Sequence, residues 1–325
     1  MNSMLVRRRG FLQAAGTVGA SLSLGAPLLA QDFPARPVTL ICPFAAGGSV
    51  DQYMRALAVA SAKHMGGQNV IIDNKPGAGG LYSASLVSKA RPDGYTLAMT
   101  SGSIFRAPWL EPKAGISPLT DFTYVIGMTS LEFCAVVRAD SPYRNFADFM
   151  KAGKAKPTQF AAGDPTTAVP VLMKGIEEKY GGEFQHIPYK SGADMVSALL
   201  GGHVGIVLDS VGSYVSQINA GKLRLLAALG TSRFKAWPDV PTAVEQGYDV
   251  VVSSPMGLIG PPAMKPATVQ SLHDIFRKAM REPEIERMLD LLNQPEWYRN
   301  SKDFESYAQK TYQETGEMLR RAKLI

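Results

Sequence analysis

Short apolar runs and amphipathic stretches alternate along the first third of the chain. Mostly apolar runs at 38–42, 69–73 and 95–99 predict three buried strands. Between them, apolar side chains recur at three- and four-residue steps, which predicts helices that begin near Ser49 and Leu81. This β-α-β-α-β order predicts a parallel sheet with right-handed crossovers.

The same alternation begins again near residue 131. Further apolar runs predict strands at 133–137, 159–162, 184–189, 204–208 and 223–229. From Lys265 onward the pattern is mostly helical, with Pro266 and Pro283 near the predicted helix starts. The middle of the chain is therefore predicted to form a second α/β unit. The C-terminal tail is predicted to form helices that return to the first unit.

The length and this order together predict two lobes. A chain of 325 residues is longer than one compact core usually holds. We predict an α/β fold with two parallel-type sheets flanked by helices, in which the chain crosses between lobes near Leu131 and again near Val252. Lobe 1 comprises 31–131 plus 253–325, and lobe 2 comprises 132–252. Two crossing strands form a hinge, with a ligand cleft between the lobes.

The turn between the first strand and the first helix, 43–51, reads Pro-Phe-Ala-Ala-Gly-Gly-Ser-Val-Asp. Gly47 and Gly48 let the backbone adopt conformations that a side chain would forbid, and let a ligand approach closely. Ser49 is the predicted N-cap, and Asp51 is a first-turn acid rather than a ligand contact. Because a helix start presents unpaired N–H groups, the turn is predicted to bind an anion. The alternative is a connecting loop without a ligand.

Three further turns share the properties of this first one. The segments 74–80 and 100–103 are rich in glycine or serine and follow the second and third strands. Since ligands of parallel sheets bind beyond the carboxyl ends of the strands, all three turns of lobe 1 are expected at one edge. The polar turn 163–167 has the corresponding place in lobe 2.

Charge and cysteine content narrow the range of functions. The formal net charge is +6, of which Arg7, Arg8 and Arg9 supply half. Such a mild excess, without basic runs interleaved with aromatic residues, argues against nucleic-acid binding. The only cysteines, Cys42 and Cys134, each lie inside an apolar run, and we expect buried thiols rather than a disulfide.

Motifs for catalysis or cofactor binding are missing from the sequence. The run Gly77-Ala78-Gly79 lacks the third glycine of a dinucleotide fingerprint, because Tyr82 stands there. No P-loop, nucleophile elbow or zinc-protease motif occurs, and the four histidines are scattered singly. We therefore expect no enzyme, no metal site and no cofactor.

The N-terminal segment 1–30 has the character of an export signal. The pattern Arg8-Arg9-x-Phe11-Leu12-Gln13 is similar to a twin-arginine signal, and an uncharged, mildly apolar stretch follows at 14–30. Removal near Ala30 would release a periplasmic protein; an uncleaved anchor is the alternative. No later stretch is long and apolar enough to span a bilayer.

An ordered set of motifs resembles one family. The segment Pro43-Phe44-x-x-Gly47-Gly48-x-x-Asp51, with Arg55, is similar to the start of Bug-type solute-binding proteins, the periplasmic receptors of tripartite tricarboxylate transporters. Further matching blocks, in the same order, are at 74–80, 92–96, 188–190, 221–224 and 238–242. The resemblance covers essentially the whole chain after the signal.

The resemblance implies a two-lobed periplasmic-binding-protein fold, type II-like, with a carboxylate held by backbone amides at 44–51 and 162–167. Ser101 and Asp209 would contact the far end of the ligand. The chain departs from the family pattern at Asp164, Gly205 and Pro255-Met256. The predicted ligand-binding residues are Phe44, Ala45, Gly47, Gly48, Ser49, Ser101, Ala162, Gly163, Thr166, Thr167 and Asp209.

The expected function follows from the fold and this resemblance. We predict an exported, monomeric solute-binding protein that captures a small organic anion, a carboxylate, and delivers it to the membrane subunits of a tripartite tricarboxylate-type transporter. One alternative is the same fold acting as a periplasmic ligand sensor for a signalling partner. A periplasmic hydrolase or isomerase is a further alternative, disfavoured because no catalytic constellation is visible.

Overall fold

The computed structural model describes residues 33–163, 167–321 and 324–325, and within these it has ten strands and ten α-helices. The strands are β1 (Val38–Cys42), β2 (Val70–Asn74), β3 (Thr96–Met99), β4 (Thr123–Arg138), β5 (Thr158–Ala162), β6 (Phe184–Pro188), β7 (Val207–Ser210), β8 (Leu223–Ala228), β9 (Ser253–Gly260) and β10 (Glu296–Arg299). The helices are α1 (Ser49–Ala62), α2 (Leu81–Ser88), α3 (Ser103–Leu110), α4 (Phe146–Ala155), α5 (Ala168–Tyr180), α6 (Gly192–Leu200), α7 (Val215–Asn219), α8 (Pro266–Ala279), α9 (Pro283–Leu292) and α10 (Ser301–Arg321).

The strands form a mixed sheet in the order β2-β1-β3-β9-β4-β7-β5-β6, with β8 and β10 also paired to β4. Strand β1 is parallel to β2 and β3, and β5 is parallel to β6 and β7, so the predicted β-α-β order is confirmed in both halves. The pairs β3–β9 and β4–β9 are antiparallel because β9 returns from the second half of the chain. The sheet is therefore mixed rather than purely parallel.

Strand β4 connects the two halves without a break. Residues 123–132 pair with β9, and Phe133 is the first residue that pairs with β7. At the predicted crossings, Glu132 of β4 pairs with Ser253 of β9. The two strands thus pass side by side between the halves. The assignment of lobe boundaries at 131/132 and 252/253 stays a prediction.

One predicted strand is longer in the structure, and one apolar run outside the predicted strands is irregular. The strand predicted at 133–137 begins ten residues earlier, at Thr123. The run Val250–Val252 is irregular, although Val252 N–H donates to the Leu229 carbonyl at 2.6 Å, and β9 begins directly after it. Apolar composition alone does not distinguish a strand from a buried connection, because both exclude water.

The predicted amphipathic helix packs against the sheet as expected. In α1, Tyr53, Met54 and Leu57 are fully buried, and they belong to the largest apolar cluster. The C-terminal α10 packs in a second apolar cluster through Phe304, whose ring lies 5.0 Å from that of Tyr124 in β4. The same cluster includes Ile41 of β1 and Ala98 of β3, so α10 packs against strands of the first half of the chain.

Both cysteines are free and buried, which confirms the expectation of unpaired thiols. Burial raises the pKa of Cys42 to about 11, so this thiol stays protonated at neutral pH. The described helices include none with the length and apolarity needed to cross a membrane. The predicted export signal, 1–30, lies outside the described residues.

Candidate functional site

A cavity of about 730 Å³ lies where the turns after β1, β2 and β3 face the turns after β5, β6 and β7. This volume suits a small organic ligand. Eight predicted ligand-binding residues line it: Phe44, Ala45, Gly48, Ser49, Ser101, Gly163, Thr167 and Asp209. The predicted turns of both halves therefore meet at one cavity.

Three predicted site residues are placed differently or are not described. Gly47 does not line the cavity, and its N–H donates to Asp51 Oδ2. Ala162 is fully buried beneath the second turn and does not line the cavity either. Thr166 lies outside the described residues.

Asp51 holds the first turn in shape. Its carboxylate accepts from Gly47 N–H at 2.9 Å, from Arg55 Nε at 2.9 Å and from Asn74 Nδ2 at 2.9 Å. Burial acts to raise the pKa of Asp51, but these hydrogen bonds outweigh it and lower the pKa below the usual range. Asp51 is a first-turn acid, as predicted, and its bonds are directed to the protein.

The helix N-cap differs from the prediction. Helix α1 begins at Ser49, so Gly48 is the N-cap residue, and it makes no side-chain cap bond. Gly47 takes a φ of +85°, a left-handed conformation that favours glycine. If Ser49 were the cap, the helix would begin one residue later. Since the helix begins at Ser49 itself, Ser49 lines the cavity instead of capping the helix.

The second glycine turn positions Ser101. Gly80 has a φ of +99°, and a side chain there would overlap Ser101 and approach Pro43. Ser101 Oγ donates to the Gly79 carbonyl at 2.9 Å, which fixes the hydroxyl at the cavity wall. Glycine at this position therefore allows the turns after β1, β2 and β3 to pack closely.

Asp209, at the end of β7, is the predicted acid of the opposite wall. Tyr214 donates its hydroxyl to Asp209 Oδ2 at 3.1 Å. Burial raises the pKa of Asp209 to about 6, although hydrogen bonds from Ser210 N–H and Tyr214 act against the shift. Asp209 is thus an acid that takes up a proton in mildly acidic solution.

Substituting Asp209 should therefore stabilise the protein in a pH-dependent way. The folded pKa lies above the unfolded value, so the folded state loses stability as pH rises from about 4 to about 6, and the full penalty remains at higher pH. Asp209→Asn should raise the free energy of unfolding by roughly 1–2 kcal/mol at pH 8 and by little at pH 4. Urea unfolding at both pH values measures this, with exposed Asp239→Asn as the control. An equal gain at both pH values would contradict the assignment.

Arg106 is the functional candidate that the sequence reasoning missed. It lies on α3, outside the predicted turns, and lines the cavity. Burial lowers the pKa of Arg106 to about 10, and the nearby Tyr307 acts to raise it, so the guanidinium is charged at neutral pH. A usable signal was present: a single arginine within the apolar run Ile104-Phe105-Arg106-Ala107.

The other polar groups of the cavity are suited to binding. Ser191 Oγ donates to Asp194 Oδ2 at 2.9 Å near the exposed Lys190. None of the four histidines lines the cavity, and among the described residues no group of three or more His, Cys, Asp or Glu is arranged to hold a metal ion. The arrangement offers backbone and hydroxyl donors, one guanidinium and acidic side chains around an open space.

Comparison with known proteins places this site in a family. Residues 53–324 match the sequence profile described as Tripartite tricarboxylate transporter family receptor. The chain is 38% identical over 313 residues to the UPF0065 protein in the gbd 5' region of Cupriavidus necator, covering 94% of this chain and 95% of that protein. This family comprises solute-binding receptors rather than enzymes.

Solved structures confirm the predicted periplasmic-binding-protein fold. The periplasmic binding protein BugD is similar with a TM-score of 0.84 and 26% identity, covering 90% of this chain and 99% of that one. MatC from Rhodopseudomonas palustris, solved with bound malate, has a TM-score of 0.79 and 25% identity, covering 88% and 99%. The chain therefore belongs to the Bug-type receptor family of the tripartite tricarboxylate transporters.

Proposed function

We propose that this protein is a periplasmic receptor that binds a small carboxylate and delivers it to the membrane subunits of a tripartite tricarboxylate transporter. The observation that carries the proposal is the meeting of the two turns, around Gly48 and around Gly163, at one cavity. Helix α1 begins at the first turn and α5 at the second, so both present helix N-termini to the same space.

The class of ligand is supported by the cavity and by one relative. Backbone N–H groups at a helix start favour an anion, and the side chains of Ser49 and Ser101 add hydroxyl groups to the wall. MatC, a structural neighbour, was solved with malate. Malate and related small carboxylates are therefore the first ligands to test.

Export and lobe movement complete the proposal. The segment 1–30 acts as a removable twin-arginine signal, supported by Arg8-Arg9-x-Phe11-Leu12. The mature chain works as a monomer whose lobes, 31–131 plus 253–325 and 132–252, close on the ligand. The paired strands β4 and β9, which cross side by side at Glu132 and Ser253, are suited to act as the hinge.

A thermal-shift screen of the mature chain tests the proposal. Malate, succinate and adipate should stabilise the protein, whereas their diamides and glucose should not, because they lack an anionic group. At about 100 times the dissociation constant, a ligand adds roughly 2.7 kcal/mol to the free energy of unfolding. That gain raises the melting temperature by several degrees. A diamide or glucose that stabilises as strongly as the acids would overturn the carboxylate assignment.

A further inference from the structure

We propose that Asp209 selects ligands with one carboxylate and, at the other end, a hydrogen-bond donor such as an ammonium group or a primary amide, over ligands with a second carboxylate. This inference rests on the proposed function and narrows the class of ligand. The first turn, around Gly48, offers the N–H groups of a helix start to an anion. The wall formed by α6 and the end of β7 has the opposite character, because it carries the acidic side chains of Asp194 and Asp209.

The cationic side chains that line the cavity are not among the groups that act on Asp209. Arg106 lies on α3, which follows β3, and β3 pairs with β1 beside the first turn. Lys190 belongs to the acidic wall but is exposed. Besides burial, the groups of the described residues that shift the pKa of Asp209 are Ser210 N–H and the Tyr214 hydroxyl, with no cation among them. Since this pKa is about 6, Asp209 presents a negative charge to the cavity at neutral pH.

The carboxylate of Asp209 has the capacity for a further hydrogen bond. An ionised carboxylate has about four acceptor positions. Tyr214 donates its hydroxyl to Oδ2 at 3.1 Å, and the N–H of Ser210 is a second donor. These two bonds orient the carboxylate without filling its acceptor positions. A donor on a ligand in the cavity can therefore bind to Asp209 while both protein bonds stay in place.

Gly192, the first residue of α6, keeps space beside this carboxylate. A Cβ atom on Gly192 would lie 3.3 Å from Asp209 Oδ2 and would overlap Oγ of Ser213. All three residues line the cavity. The absence of a side chain at Gly192 therefore leaves Oδ2 uncovered on that side.

The acidic wall adjoins the first turn. The 3₁₀ turn that follows β7 contains Gly212, and a Cβ atom on Gly212 would lie 2.9 Å from Ser49 Cβ. A ligand whose carboxylate is bound at the first turn therefore lies close to the wall that carries Asp209. A second carboxylate there would be repelled by Asp209, whereas an ammonium group or an amide N–H would donate to it. The wall consequently favours a donor at the second end of the ligand.

Isothermal titration at pH 7.5 with two matched series tests this role. Succinate, succinamate and 4-aminobutanoate differ only at the second end, and adipate, adipamate and 6-aminohexanoate form the longer series. In the series that binds more tightly, we expect wild type to prefer the amine and the amide over the dicarboxylate by roughly 10- to 150-fold, the value of a hydrogen bond to a charged group. Asp209→Asn should reduce this preference to about threefold or less, because its amide can donate to a carboxylate and carries no charge to attract an ammonium group.

The matched control is Asp194→Asn, which removes the same charge from the same wall. Asp194 is exposed, and its Oδ2 accepts from Ser191 Oγ at 2.9 Å. Because water and salt screen an exposed charge, this variant should keep the wild-type preference within about threefold. Asp209→Asn is expected to fold, since it removes a charge whose burial is unfavourable.

The outcomes separate this role from the proposed function. Wild type that binds neither series would overturn the carboxylate receptor itself. Wild type that binds a dicarboxylate as tightly as the matching amine and amide would overturn the preference, whether or not the variants fold. A preference that Asp209→Asn keeps, or that Asp194→Asn loses equally, would overturn the role of Asp209 alone. A preference that wild type and Asp194→Asn share and that Asp209→Asn loses supports it.

Discussion

Replacing Asp51 with alanine should lower the free energy of unfolding by roughly 2–4 kcal/mol and weaken ligand binding by roughly tenfold or more. The side chain is 3% exposed, and its removal leaves Gly47 N–H and Asn74 Nδ2 without their acceptor. Arg55 is 53% exposed and will be hydrated, which limits the loss. Without the bond to Asp51, Gly47 no longer holds the turn that presents Gly48 and Ser49 to the cavity.

The effect should depend on pH with a definite sign. Because the folded pKa of Asp51 is lowered, its contribution is present above the unfolded value and disappears as pH falls through the folded value. The free energies of unfolding of wild type and Asp51→Ala should therefore show their full difference at pH 7, and this difference should decrease as pH falls below about 4. Thermal or urea unfolding across this range measures the difference.

Asp148 provides a matched control. It is also a first-turn acid, and it accepts from the backbone N–H four residues earlier, at Arg144, at 2.8 Å. It lies away from the cavity, so Asp148→Ala should cost about 0.3–1 kcal/mol and leave ligand binding unchanged. Equal losses in the two variants would show that Asp51 acts only as a helix-start acid.

The first strand, turn and helix could be predicted from sequence because the information there is local. The apolar run at 38–42, the two glycines and the apolar stripe of α1 each favour the observed conformation. The same holds for the turn at 74–80, of which residues 76–80 line the cavity, and Gly163 and Thr167 line it from the other side. Three details could not be predicted from sequence: the placement of Gly47, the placement of Ala162 and the N-cap of α1. At these positions a shift of one residue along the chain decides which groups face the cavity, and only the backbone geometry shows that shift.

The features that sequence reasoning missed depend on long-range contacts. The pairing of β4 with β9 joins residues more than a hundred positions apart, and nothing local in 123–132 distinguishes a strand from a connection. Arg106 is similar: its helix was not predicted, and its access to the cavity depends on Gly102 and on Ser254 of β9. A charge within an apolar run indicates a buried position, but only the tertiary fold shows what it faces.

Replacing Gly212 with alanine should oppose closure of the two lobes. Gly212 lies in a 3₁₀ turn after β7, and a Cβ atom there would lie 2.9 Å from Ser49 Cβ and 3.0 Å from the Leu292 carbonyl oxygen. Ser49 begins α1 and Leu292 ends α9, both in the proposed lobe 1. An added methyl group at such a contact costs roughly 1–3 kcal/mol. If the lobes are hinged, opening relieves this overlap, and ligand affinity should fall by roughly 5- to 150-fold.

Small-angle scattering and titration together decide whether this contact forms when the lobes close. In the presence of saturating malate or succinate, Gly212→Ala should keep a larger radius of gyration than wild type, while its unfolding in the absence of ligand changes little. Gly205→Ala is the control, since a Cβ there has no atom within 4 Å and lies in the same proposed lobe. Gly212→Ala could instead lose stability without ligand and keep the wild-type affinity and radius of gyration. That result would show that the contact is rigid and that both of its sides belong to one rigid unit. The hinge at Glu132 and Ser253 would then be wrong.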